Sequence, residues 1–206
     1  MSWEGWALVA VLVLVALGWL LWLQASRVDR LHRKVLRSRT TLEAQLAQRA
    51  SAALELATCG ALDPVESVIL ADVAQRAAAS APAGVVHDGL EGAADAGEPE
   101  ELLVPDVDRG LVESELSRTL RAVLAEHPAG EDLVADPLAT AALDRLEGAW
   151  YRLELARRFH NAHVTEVRRL RAQPIVRLLR LAGHAPMPVA FDMDDARPAR
   201  VPRTDP

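Results

Sequence analysis

Hydrophobic and polar residues alternate with a different rhythm in each stretch of this chain. Trp6 to Leu23 is an unbroken apolar run of 18 residues, WALVAVLVLVALGWLLWL. Coiled at ~1.5 Å per residue it covers about 27 Å, close to the ~30 Å hydrocarbon core of a bilayer, so the run predicts one membrane-spanning helix. Trp3 and Trp6 lie at one end and Trp19 and Trp22 at the other, where amphipathic rings sit at headgroup level. Gly18 has no glycine four residues away, so the span lacks the close-packing signal of a helix dimer. From Ser26 to Thr58 the rhythm becomes that of an amphipathic helix: Val28, Leu31, Val35, Leu42, Leu46, Ala53 and Leu56 recur at close to three- and four-residue spacing, with no Pro or Gly between them. The pattern predicts a single rod of about 55 residues, ~80 Å long, running from the membrane into the soluble part.

Gly60 supplies a stop, and Asp63-Pro64-Val65-Glu66 supplies a cap, a proline at the first helical position and an acid that can reach back. A second helix is expected from Pro64 to Ser80, with Val65, Ile69 and Val73 as its face and Val68 beside it. Residues 81–105 break every pattern with Pro, Gly and acids, and read as a flexible acidic loop. A third helix capped by Asp106 or Asp108 carries Val112, Leu116, Leu120 and Val123 on one side and stops near Glu126-His127-Pro128. Asp136-Pro137 then opens a long fourth helix to about Ala172, striped by Leu143, Leu146, Trp150, Leu153, His160, Val164 and Val167. After Pro174, Ile175 to Ala182 suggests a short helix docked on the end of the domain, and residues 185–206, rich in proline, a disordered tail. The expected class is all-α: an anchor at 1–25, then an antiparallel four-helix bundle over 26–184 whose fourth helix returns toward the bilayer.

Charge adds an orientation. Arg27, Arg30, Arg33, Lys34, Arg37 and Arg39 follow the span, whereas Glu4 is the sole charged side chain before it. The positive-inside bias therefore predicts an outside N-terminus and a cytoplasmic domain on the inner (plasma) membrane. A cleaved secretory signal would need a basic start and a small-residue cleavage site, and Met-Ser-Trp-Glu and Leu23-Gln24-Ala25 supply neither. The net charge of −6 conceals an acidic middle between basic flanks. That layout argues against nucleic acid as a partner. It leaves the juxtamembrane cluster to set topology, or also to attract anionic lipid headgroups at ~1 kcal/mol per residue. Cys59 is the only cysteine, which excludes an intrachain disulfide and suits a reducing compartment.

Candidate chemistry is sparse. The chain has no Gly-rich phosphate loop, HExxH, paired-cysteine site, Gly-x-Ser-x-Gly elbow or Glu-x-x-His pair. His160 and His163 could form half a metal site, but Glu166 diverges from His160 by ~120° around the helix. Cys59 reads as a small core residue. Arg157, Arg158 and Asn161 admit two readings: a polar ladder to Glu43, Gln45 and Glu55 of the first helix, or a solvated face pairing locally with Glu154 or Glu147. No catalytic residue, metal or cofactor is expected.

The segment Leu146-Glu147-Gly148, Arg152-Leu153, Ala156-Arg157-Arg158, Asn161 and Val164, followed by Pro174, resembles the signature block of the LemA family of bacterial membrane-anchored helical proteins. Upstream, Leu42, Gln45, Leu46 and Arg49 are similar to its L-x-x-Q-L-x-x-R segment, and Glu126, Pro128 and Leu133 to its connection before the last long helix. His160 stands where that family usually carries an aromatic. The resemblance implies an N-terminal anchor followed by an antiparallel helical bundle, and it brings no established reaction. The expected function is thus a non-enzymatic scaffold or interaction module on the lipid bilayer, with a membrane or cytoplasmic protein as partner and homo-oligomerisation left open. The alternatives are a membrane-tethered metal enzyme using His160 and His163, or a sensor of the membrane surface.

Overall fold

The computed structural model describes residues 3–86, 107–126, 136–179, 182 and 186–198, which are all-helical apart from their links and the C-terminal segment. Helix α1 runs without a break from Trp3 to Thr58, 56 residues. Its apolar first third lies free of the rest of the protein, with 0% of its most apolar window buried, and is long and apolar enough to cross a membrane. Trp19 and Trp22 lie tilted against each other about one turn apart, ring centroids 5.5 Å from each other. From Val28 onward every apolar residue of the expected stripe is buried. Arg39 and Arg49 fill the two gaps in that stripe and are buried as well, so Arg39 does not belong with the exposed juxtamembrane cations.

Helix α2 spans Pro64–Ala79 and opens on the expected capping box: Val65 N–H donates to Asp63 Oδ1 at 2.9 Å, and Asp63 N–H to Glu66 Oε2 at 3.3 Å. Gly60, at φ 84°, makes the left-handed step that ends α1. The buried face of α2 differs from the one expected. Leu70, Val73, Ala74 and Ala77 are buried, whereas Val65, Val68 and Ile69 are 65%, 70% and 50% exposed. Val73 is buried as expected, and the rest of the buried face is Leu70, Ala74 and Ala77, turned around the helix from Val65 and Ile69.

After a 3₁₀ turn at Ala81–Ala83, the chain buries Ala83 and Val85, so the first residues of the expected loop are packed. The rest of that loop, 87–105, lies outside the described residues. Helix α3 covers Arg109–Glu126, with Asp108 accepting from Leu111 N–H at its start. Helix α4 covers Pro137–Arg171, and Asp136 caps it by accepting from Leu138 N–H at 2.9 Å. Helix α5 is a five-residue turn, Pro174–Leu178, shorter than expected.

Helices α1 and α4 pack along their lengths in opposite directions. Val28, Leu31 and Val35 share a cluster with Val164, Val167 and Leu170. Further along, Leu42 and Leu46 meet Leu153 and Ala156, and Glu55 pairs with Arg145 at 2.5 Å. Each fully buried leucine in these layers contributes ~1.5–3 kcal/mol. Helix α2 packs on α1, and α3 on α2.

The segment expected to be a disordered tail instead crosses the helices as an extended strap over 186–198. Phe191 and Met193 are buried against Leu42, Leu46 and Leu153, and polar groups of α3 and α4 bond its backbone. Residues 199–206 lie outside the described residues. Apolar burial of Phe191 and Met193, together with satisfied backbone groups, outweighs the ordering cost that a proline-rich sequence suggests.

Candidate functional site

The helices bring two concentrations of charge together, one buried and one exposed. The buried one centres on Arg49 of α1. Its guanidinium donates to Ser117 Oγ at 2.8 Å, to the Glu113 carbonyl at 3.0 Å and to Glu113 Oε2 at 2.7 Å. Arg109 Nε donates to the other oxygen, Glu113 Oε1, at 3.0 Å. Arg49 and Glu113 are both 0% exposed. Two cations therefore share one carboxylate in a dry interior. Burial pulls the Arg49 guanidinium below its ordinary value, opposed chiefly by Glu113 and also by Asp195 of the strap. The guanidinium lies 5.4 Å from the ring centroid of Trp150, whose indole N–H donates to the Asp195 carbonyl at 3.0 Å. One network thus ties α1, α3, α4 and the strap. It has no exposed nucleophile or open face, and its chemistry is that of a register lock.

Of the polar ladder expected between α4 and α1, Gln45 accepts from Arg152 Nε at 3.3 Å and Glu55 pairs with Arg145. Arg157 and Asn161 turn to the strap instead. Arg157 Nη2 donates to Asp195 Oδ2 at 2.6 Å, while the Asn161 amide donates to the Phe191 carbonyl and accepts from the Phe191 N–H, at 2.9 and 3.0 Å. Arg158 is exposed and pairs within its own helix with Glu154. Arg121 of α3 pairs with Asp194, whose carboxyl is held below the usual aspartate range first of all by that hydrogen bonding. The alternation Phe191, Asp192, Met193, Asp194 is the sequence signal that could have revealed the strap. The prolines around it hid a docked segment.

His160 is fully buried between α4 and α1. Ser38 donates its hydroxyl proton to the Val35 carbonyl at 2.8 Å, so His160 Nδ1 is the donor to Ser38 Oγ, at 3.1 Å. Among the described residues no three His, Cys, Asp or Glu side chains are grouped so as to hold a metal. Cys59 is half-buried with its thiol on the Leu56 carbonyl, and Leu146 and Val164 are core residues. Glu147 is partly exposed beside them.

The exposed concentration lies where α1 leaves its apolar third. Arg27, Arg30, Arg33, Lys34 and Arg37 are exposed there, and the end of α4 brings Arg168, Arg169 and Arg171 to the same end, with Arg177 of α5. The nearby acids are Asp29, paired with Arg33, and Glu166. Arg168, Arg171 and Arg177 line an open cleft of about 450 Å³ whose floor includes Val176. Arg171 is held in place by donating to the Pro186 carbonyl at 2.6 Å. Comparison with protein-family models, with curated proteins and with solved structures finds no match for this chain.

Proposed function

We propose that this protein is a single-pass anchor and scaffold of the inner membrane, with an antiparallel four-helix bundle on the cytoplasmic side and no reaction of its own. The observation that carries this reading is the continuity of α1, in which one uninterrupted helix supplies both the apolar run and the central stripe of the helical domain. A rigid rod transmits position and orientation from membrane to domain, which a flexible linker cannot do. The charge asymmetry across the span supports the cytoplasmic side. The likeness of residues 42–49 and 146–164 to LemA proteins supports the same architecture, and we propose kinship with that family on those motifs.

Topology is tested in a Cys59→Ser background with Ala47→Cys, an exposed position on α1. An impermeant thiol reagent should label it only after the membrane is opened, and labelling in intact cells would refute the cytoplasmic assignment. Scaffolding is tested by proximity labelling from the full chain and from an Arg49→Leu variant whose domain is destabilised. Neighbours lost with the variant support a scaffold, and identical sets reduce the protein to an anchor.

A further inference from the structure

We propose that the cleft formed by Arg168, Arg171 and Arg177, with the apolar rim of α5 beside it, is a seat for the phosphate-bearing headgroup of an anionic membrane lipid. The proposal rests on the anchored reading of α1.

Depth comes first. Val28 and Leu31 lie five and eight residues beyond Leu23, or about 8–12 Å along the helix. The headgroup zone extends roughly 5–8 Å beyond each face of the hydrocarbon core. Val176 of α5 is buried in the same cluster as Val28 and Leu31, so α5 is held at the outer edge of the headgroup zone. The surface it presents there is unlike an ordinary domain surface. Leu178 is 82% exposed, and Ile175 and Leu179 are exposed beside it. Three exposed apolar side chains at that edge are placed to insert toward the acyl boundary, as the apolar face of an interfacial helix does.

Charge and shape supply the rest. The side chains of Arg168, Arg169 and Arg177 are exposed, and among the described residues none of the three guanidinium groups is engaged in an ion pair, so their donors are open to a ligand. Arg171 is held by the Pro186 carbonyl and cannot swing away. Guanidinium forks match phosphate oxygens in pairs, and the 450 Å³ cleft is large enough for a glycerophosphate headgroup. Cations lining the cleft, with the exposed apolar side chains of Ile175, Leu178 and Leu179 at the short helix α5, fit a ligand that is anionic at one end and apolar at the other. A free phosphate would use the arginines and leave the leucines unexplained.

The full chain is placed in nanodiscs of phosphatidylcholine alone or with phosphatidylglycerol, in a Cys59→Ser background, with a nitroxide on Leu178→Cys or on Val13→Cys. The label at 13 reports the anchor and should be in lipid in both discs; a water-exposed label there would overturn the anchored reading itself. With the anchor intact, the label at 178 should become more accessible to oxygen and less to a water-soluble nickel complex when phosphatidylglycerol is present. In an Arg168→Gln/Arg177→Gln variant the apparent affinity for phosphatidylglycerol should fall about thirtyfold, from the weight of two interfacial charges. A label at 178 equally wet in both discs overturns the proposal. An equal response to inorganic phosphate in phosphatidylcholine discs overturns the lipid as the source.

Discussion

The two parts of α1 hold apolar side chains in contrary environments. Between Trp6 and Leu23 they point outward in every direction, and between Val28 and Leu56 they are confined to one stripe and buried against α2 and α4. Both parts are the same helix by backbone. The difference shows that hydrophobic burial inside the protein operates only in the second part, and on the anchored reading the first part has lipid as its solvent. In the first, an apolar residue is interchangeable with its neighbours as long as the run stays apolar. In the second, volume and position are specified by a close-packed partner.

The strongest test of that contrast is Arg49, a charge at a core position of the stripe. Arg49→Leu leaves Glu113 with Arg109 alone and should lower the stability of the helical domain by ~3–5 kcal/mol. Denaturant unfolding of the detergent-solubilised chain checks it, and an unchanged midpoint would show that the network carries little weight. Next comes a matched pair of truncations. Leu46→Ala should cost ~2–5 kcal/mol, whereas Leu12→Ala should change unfolding of the domain by less than about 0.5 kcal/mol. Equal effects would mean that the apolar third is packed on protein after all.

Smaller effects follow at the strap, which closes the domain without being helical. Gly110 sits where any Cβ would clash with the Asp192 carbonyl oxygen. Gly110→Ala should therefore cost ~1–3 kcal/mol and speed hydrogen exchange across residues 189–196, leaving exchange in α1 unchanged. The mildest is acid. Because Asp194 is held below the usual aspartate value by Arg121, its support is complete above ~pH 4 and is lost as pH falls through the lower value of the folded state. Protection of the strap amides, relative to their intrinsic exchange rate, should fall over that acid range in the native chain, and Asp194→Asn should reduce the pH dependence. A flat profile in the native chain would assign the strap to Phe191 and Met193 alone.

How far the sequence was legible varied with the kind of interaction. Helix starts were visible because caps are local: Asp63 with Pro64 and Glu66, and Asp136 with Pro137, satisfy amide groups within four residues. The face of α2 was not visible. Val65, Ile69 and Val73 as well as Leu70, Ala74 and Ala77 have helical spacing, and only packing against α1 and α3 chooses between the two faces. The same holds for the buried charges. Arg39 and Arg49 interrupt an apolar stripe in the sequence, and a gap looks like a solvated position until a carboxylate such as Glu113, 64 residues away, is brought to it.

The roles of Arg157 and Asn161 required the strap, which joins α4 to residues 30 to 38 positions later in the chain. By itself the sequence determined what depends on neighbours along the helix: the apolar run, the unbroken rod, the caps and the charge asymmetry across the span. The tertiary structure alone decided what depends on a partner from elsewhere: which side of α2 is buried, which arginines are interior, and that a proline-rich end is docked. Local hydrogen bonds and periodicity are written in consecutive residues. Packing and ion pairing are written in pairs far apart, and one half of a pair does not reveal the other.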